Sequence, residues 1–465
     1  MKIKSFLSFL AMLLISVMVL SLAACGSKDA ETKNNESGSQ VTTKATEKDK
    51  VTEKSEPVEV VYWHMWGGDW KSWIDGQVEK FNASRSDIKV KPLAVTSDGE
   101  TKFIASVAGG NPPDVFTGWG NVIPTWAESE TIMCLDELIS KNAPDLDDFL
   151  YPIASDLGKY KGKTYCMPIN LCPLMLFWNK DLFKEVGLDP EKYPVTIGDL
   201  DAMQDKFWKF GSKGQIDRMG FYPTYLRIWV PAFGGRFIDE NNKPTLDDKG
   251  LLNALKWFES FVTTKGYSIE KIDAFTTSIA NSAQATNPFL TEKAAFTVDG
   301  VWLLTDIQNY APDMNYGICP LPYSSDGGFE NANLTMADFD VIANGSKHPE
   351  EAFEFLKWMV GYGGNEEAAG EFVATGGNIP AAQKVVDSSS YKSYLDEIPA
   401  RYEFMKALDS ENNLTYPSVT YGTYYMDRLE AAEERVMHGA QTAEEALKQV
   451  ADEVAKEAAK QEATN

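Results

Sequence analysis

The stretch Val58-Glu59-Val60-Val61-Tyr62-Trp63, followed by His64-Met65-Trp66-Gly67-Gly68, decides the reading of the whole chain. An alternating run rich in β-branched and aromatic residues spells a strand, and the paired glycines break it. From Trp70 to Phe81 the spacing turns helical, with Trp73, Ile74, Gln77, Val78 and Phe81 on recurring positions. Ile88-Lys89-Val90-Lys91 reads as a second strand, and Thr101–Ala108 as a helix closed by Gly109-Gly110. Pro113-Asp114-Val115-Phe116 reads as a short third strand leading into Gly118-Trp119-Gly120. This alternation predicts a parallel, doubly wound sheet. Such sheets bind ligands beyond the carboxyl ends of their strands, where the loops carrying Trp66 and Trp119 are expected.

Upstream, residues 26–57 hold Lys, Glu, Thr, Ser and Asn with few aliphatics and no aromatic. They bury too little apolar surface to offset their ordering entropy, so a disordered tether is expected. Before it stand Lys2 and Lys4, an apolar stretch from Phe6 to Leu20, and Leu22-Ala23-Ala24-Cys25: the layout of a secretory signal. The ending, with Gly26-Ser27 after it, resembles the bacterial lipobox. That resemblance implies removal of residues 1–24 and lipidation of Cys25. The alternative, a retained membrane helix, is disfavoured by an apolar run short of the ~20 residues a span needs. The expected location is the extracytoplasmic face of the cell membrane, anchored by lipid and not spanning.

The chain has 465 residues, enough for two or more domains. Its 43% apolar and 24% charged content suits a soluble globular protein. A net charge of −24 repels phosphate backbones, which excludes nucleic acid as a partner class. The 12 Trp and 19 Tyr often stand beside Gly or Pro. At loop edges they suggest a ligand surface, with core packing as the alternative for any single ring. Cys134, Cys166, Cys172 and Cys319 lack the paired spacing of a zinc site, and the three His are scattered. One or two disulfides and buried free thiols are equal readings. No metal or other cofactor is expected.

Downstream, Thr196-Ile197-Gly198-Asp199 forms a capping-box-like start to a helix carrying Leu200, Met203 and Phe207. Pro349-Glu350-Glu351 opens another, with Ala352, Phe353, Leu356 and Met359 as its apolar stripe. Thr442 and Glu445 cap a last helix built on Leu447, Val450 and Val454.

An ordered set of segments resembles family 1 extracellular solute-binding proteins, the sugar-binding subunits of ABC importers. They include Trp63–Gly68, Gly109–Val115, Met167-Pro168-Ile169-Asn170, Leu176–Leu182, Lys293–Trp302, Tyr316–Pro322, Asn344–Phe353 and Thr442–Leu447. The set spans nearly the whole mature chain. It implies a type II periplasmic-binding-protein-like α/β fold, with two lobes joined by a hinge and a ligand cleft between them. Lobe 1 would hold residues 58–168 with 323–370, and lobe 2 residues 171–318 with 371–460. The hinge crossings would fall at Met167–Asn170 and Pro320–Pro322, where proline limits φ. A monomer that docks on permease subunits is implied.

Sugars present apolar ring faces and hydroxyls that both donate and accept, so their sites need aromatic platforms with polar groups at the rim. By resemblance, Trp302 of Val298-Asp299-Gly300-Val301-Trp302 stacks on the ring, its alternative being a core tryptophan. Trp66 and Trp119 face it from the opposing lobe. Asp114 is a further candidate, with a structural pairing as its alternative. Asp338, Asn170, Trp229, Asn378 and Tyr421 complete the set.

An enzyme is the first rival, but no Gly-x-Ser-x-Gly elbow, His-Glu-x-x-His or Walker loop occurs. Asp239-Glu240-Asn241-Asn242 is vaguely like a calcium loop, yet Pro244 stands where that loop needs Gly. A receptor for a peptide or polyamine on the same fold is the remaining alternative.

Overall fold

A computed structural model describes residues 56–265, 267–280 and 286–462. The expected signal, the lipidation residue Cys25 and the tether up to residue 55 lie outside the described residues. In chain order, the opening elements are β1 (Val58–His64), α1 (Gly68–Ser84), β2 (Ile88–Ala94), α2 (Gly99–Ala108) and β3 (Val115–Trp119). Short strands β4 (Met167–Pro168) and β5 (Asn170–Leu171) precede β6 (Met175–Asn179) and helix α3 (Ile197–Gln204). Then come α4 (Leu226–Trp229), α5 (Lys249–Thr263), β7 (Phe296–Asp299), α6 (Trp302–Tyr310) and β8 (Tyr316–Cys319). The return consists of β9 (Asn333–Leu334), β10 (Asp338–Ile342), α7 (Pro349–Val360), α8 (Glu366–Thr375) and β11 (Ile379–Pro380). Strand β12 (Asn413–Leu414) and helices α9 (Gly422–Met437) and α10 (Ala443–Glu462) close the described chain.

The first sheet has the order β2-β1-β3-β10-β4. Strands β1, β2 and β3 are parallel, as the alternation predicts. The sheet as a whole is mixed, because β10 returns antiparallel to β3 and β4 pairs antiparallel to β10. Those two strands enter from a distant part of the chain and not through a right-handed βαβ crossover, so nothing constrains them to be parallel. The alternation of β1 explains its placement: Val60 and Tyr62 are fully buried in the core, while Glu59 points to solvent.

The second sheet, β7-β6-β8, is antiparallel throughout. Its central strand separates two cores by side-chain alternation. Leu176 and Trp178 join a cluster with Phe183, Trp229, Trp257 and Tyr425. Met175 and Phe177 join the cluster that contains Val60 and Tyr62. Helices α9 and α10 pack into the former through Leu429, Val436, Val450 and Val454.

Two stretches sit apart from their expected lobes. Strand β9 pairs with β12, and Leu334 is buried among the second-sheet cluster, although residues 323–370 were expected with lobe 1. Helix α8 packs against α1, and Ile379, Ala382, Val385 and Phe404 enter the cluster around Val60, although 371–460 were expected with lobe 2.

The helix starts follow their capping chemistry. Thr196 and Asp199 form a complete capping box on α3. Thr442 and Glu445 exchange the equivalent pair of bonds at the start of α10, at 3.0 and 3.2 Å. The helix from Thr196 stops at Gln204, so Phe207 is buried just beyond it. Among the described residues the four cysteines are free thiols. The Asp239 loop is a turn, in which Asp239 Oδ1 accepts from the Asn241 and Lys243 N–H groups at 2.8 Å each.

Candidate functional site

A cavity of about 680 Å³ opens where the two cores meet. Its first wall is built from the ends of strands in the mixed sheet. Trp66 stands two residues past β1, Trp119 is the last residue of β3, and Asp338, register partner of Trp119, opens β10. Trp66 lies 6.3 Å from Trp70 at an interplanar angle of 22° and 6.4 Å from Trp119 at 48°. These three indoles form a folded aromatic wall. Trp119 is 46% exposed, far too much for a packing role.

The second wall comes from β7, α4, α6 and the segment just after β12. Trp302 opens α6 and folds its ring over Gly300: a Cβ built there would stand 2.2 Å from Trp302 Cη2. Gly300 is therefore what allows the ring to lie flat against its own strand end. On the first wall Gly376 does the same for Trp70, whose Cζ3 would lie 2.8 Å from an added Cβ. Tyr225 precedes α4 with φ at +57°, and the α9 residue Glu433 holds this turn by accepting from the Tyr225 and Leu226 N–H groups at 3.1 and 2.7 Å. Arg227 stacks 4.8 Å over Tyr225 and pairs with Glu430 at 3.5 Å. Tyr416 donates its hydroxyl to Met336 Sδ at 3.4 Å.

Three polar groups line the cavity between the walls. Asp338 accepts from Asn170 Nδ2 at 2.6 Å. Burial pushes its carboxyl up to about 6, and the Asn170 bond counters part of that rise. Asp299 is pushed up to about 7, again by burial; the Gly300 N–H bond at 2.9 Å counters the rise and nearby Asp306 adds to it. Asn378 is buried, with its amide oxygen 3.7 Å from the Cys172 thiol.

The structure thus brings Trp66, Trp119, Trp302, Asp338 and Asn378 to one cavity. Asn170 stands behind Asp338 and touches it directly. Asp114 does not reach the cavity. Its carboxylate accepts from the Val61 N–H at 2.9 Å and the Ser346 hydroxyl at 2.6 Å, which ties β3 to β1 and to the turn before α7. Trp229 is fully buried against Trp257 at 4.8 Å and is absent from the lining. Tyr421 is buried in the second-sheet cluster and donates to the Asn242 carbonyl at 2.7 Å. Trp70, Tyr225, Arg227, Asp299 and Tyr416 line the cavity without having been singled out by sequence. Asp299 lies inside the quoted Val-Asp-Gly-Val-Trp run, so a signal for it existed.

A cavity at the junction of two α/β cores, walled by indoles and edged by carboxyl and amide groups, defines a receptor for a small polar solute. The chain belongs to the family of bacterial extracellular solute-binding proteins, whose family model matches residues 76–399. The maltotriose-binding protein of Pyrococcus abyssi (strain GE5 / Orsay) is 23% identical over 342 residues, covering 72% of this chain and 69% of the relative. An sn-glycerol-3-phosphate-binding periplasmic protein of Yersinia pestis is 23% identical over 356 residues, covering 73% and 78%. Among solved structures, CpMnBP1 with mannotriose bound superposes with a TM-score of 0.76 at 29% identity, covering 85% of this chain and 100% of that one. The Listeria monocytogenes protein Lmo0181 in complex with cycloalternan gives 0.72 at 23%, covering 87% and 100%, a likeness of fold. The architecture is the two-lobed type II fold of periplasmic sugar-binding proteins.

Proposed function

We propose that the protein is a lipid-anchored extracytoplasmic receptor that captures a neutral oligosaccharide in this cavity and hands it, chemically unchanged, to the permease of an ABC importer. The single observation that carries the reading is the convergence of Trp66, Trp70, Trp119 and Trp302 with Asp299, Asp338 and Asn378 around about 680 Å³. Indole faces stack on the apolar faces of sugar rings, while carboxylates and amides chelate neighbouring hydroxyls. The relatives and structural neighbours that hold maltotriose and mannotriose support the same ligand class. Lobe 1 is best drawn as 58–168 with 337–412, and lobe 2 as 171–336 with 413–462. A ligand that touches both walls stabilises the closed arrangement by its differential affinity for it, and the permease reads that shape.

Arg227 favours a second reading, an anionic solute such as a glycerol phosphate. It is the weaker one, because Arg227 is already paired with Glu430 and two carboxyl groups share the cavity. A polyamine is the ligand those carboxyls would favour if sugars fail. The test is thermal unfolding of the body from Val58 against mono- and oligosaccharides, sn-glycerol 3-phosphate and spermidine. A ligand at a hundred times its dissociation constant adds about 2.7 kcal/mol of apparent stability. A shift with one sugar class that disappears in Trp302→Ala supports the reading. A shift with the phosphate or the amine alone overturns it.

A further inference from the structure

Tyr225 is held in a conformation that its own side chain disfavours. Among the described residues, seven that are not glycine have φ in the left-handed region, and six of them are Asp, Glu, Asn or Lys. Tyr225, at +57°, is the seventh; it alone of the seven carries a ring, and it alone lines the cleft cavity. A bulky side chain keeps such a backbone only where its surroundings over-determine it, and strain of this kind gathers at ligand-binding positions. The ring is 53% exposed, so core packing does not hold it there.

Helix α9 holds it instead. Tyr225 is the N-cap of the four-residue helix α4, and its side chain makes no capping bond. Helices α3 and α5 are capped from within, by Thr196 and Asp248, each at negative φ. At α4 the two leading N–H groups go to one carboxylate far along the chain. Tyr225 donates to Glu433 Oε1 at 3.1 Å and Leu226 to Oε2 at 2.7 Å. Burial raises the Glu433 carboxyl above its ordinary value, and the two N–H bonds and Arg227 pull it back. One turn earlier on the same face of α9, Glu430 pairs with Arg227 at 3.5 Å, and Arg227 lies 4.8 Å over the Tyr225 ring. One carboxylate thus fixes the backbone of the turn, and a second fixes the guanidinium that backs its ring. A cap that served stability alone would need neither the strained φ nor the exposed ring.

We propose that Glu433 is a positioning residue of the cleft: by holding both N–H groups of the strained turn it presents the Tyr225 ring to the bound sugar, and Glu430 supports the same ring through Arg227. The inference rests on the oligosaccharide reading of the cleft.

A double-mutant cycle read by calorimetric titration tests it, with linear malto- and manno-oligosaccharides of two to five units as probes. Tyr225→Ala is expected to weaken the tightest-binding probe by at least about tenfold. Glu433→Gln keeps the size of the side chain but removes one of its two acceptors, and is expected to weaken the same probe by about two- to tenfold. In the Tyr225→Ala background the same substitution is expected to change affinity by less than about twofold. A Glu433 that merely supports the fold would weaken binding by the same factor in both backgrounds, and that outcome overturns the proposal. Full affinity in Glu433→Gln overturns it as well. Glu430→Gln supplies a second arm at an exposed residue, where folding is not at stake, and its effect too should vanish without Tyr225. If oligosaccharides bind but neither coupling appears, the positioning role falls and the cleft reading stands. If no oligosaccharide binds, both fall.

Discussion

Asn170 and Asp338 hold each other in both directions. The Asn170 amide donates to Asp338 Oδ2 at 2.6 Å, and the Asp338 N–H donates to Asn170 Oδ1 at 2.9 Å. Asn170 opens β5 just after the chain leaves the mixed sheet, and Asp338 opens β10 opposite Trp119. The clasp therefore fixes a crossing strand to the cleft wall. Asn170→Ala leaves a buried carboxyl with one bond fewer and is expected to cost about 1–3 kcal/mol. Urea unfolding measures it, and an unchanged midpoint would show the clasp to be idle.

The same carboxyl makes stability depend on pH. Asp338 is raised by burial to about 6, above its ordinary value, so between about 4 and 6 the folded protein binds more protons than the unfolded chain. Its contribution is therefore present in acid and lost as pH rises through about 6. Asp340 and Asp299, both pushed up to about 7, extend the same trend. His64, lowered by burial to about 4, works the opposite way between about pH 4 and 6, so the expected outcome is a difference: Asp338→Asn loses less stability, or gains more, than the unmodified protein as pH rises from about 4 to 6. Denaturant titrations in a pH series check the slope, and a slope unaltered in the variant contradicts the assignment.

Trp302 lies over Gly300, so two different substitutions should fail in the same way. Trp302→Ala removes the platform, and Gly300→Ala forces the ring away from a Cβ only 2.2 Å from Cη2. Both are expected to weaken the sugar that gives the largest thermal shift by at least about tenfold. Trp302→Phe should retain part of the affinity, because a flat face remains. Full affinity in Gly300→Ala would show that the ring position is irrelevant to binding.

Asp114 and Trp119 separate architecture from recognition. Asp114→Ala strips the partner from the half-buried Val61 N–H and from the Ser346 hydroxyl, and is expected to cost about 1–3 kcal/mol of stability without changing ligand affinity. Trp119 is 46% exposed, so Trp119→Ala should leave the unliganded melting temperature within about 1 °C and lower affinity instead. Opposite behaviour of the two variants would reverse their roles.

The parallel core was legible because period-two alternation and glycine breaks are local signals, and Val58–His64 follows them residue by residue. Both Thr-initiated capping boxes were legible for the same reason. What pairs with β3 was not, since β10 arrives from more than 200 residues away and no local pattern specifies its direction. Rings that end a strand or open a helix, such as Trp119 and Trp302, announce themselves by neighbouring glycines. Tyr421 carries the same signal in Gly422, and Trp229 stands two residues before Pro231, yet the packing of α5 and α9 around them sets their burial. Trp70 was hidden in a helical stripe that reads as core, and Tyr225 in a turn whose conformation depends on Glu433 from a distant helix.

The thiols give the last expectation. Cys166, Cys172 and Cys319 are buried, and burial raises each thiol well above its ordinary value, Asp338 adding to the rise at Cys172. A thiol held protonated is a poor nucleophile, so these three should resist a disulfide reagent in the folded protein. Cys134 is half-buried and should react first, though slowly, because its thiol is raised too. Under denaturing conditions the body from Val58 should release four thiols without prior reduction. Recovery of only two, or of none, would mean that disulfides form after export and that the free-thiol packing around Cys172 and Asn378 is not the oxidised state. Cys172 lines the cleft cavity, so its labelling rate also reports opening. A saturating sugar should slow Cys172 labelling further while leaving Cys134 unchanged, as closure shields the cleft alone.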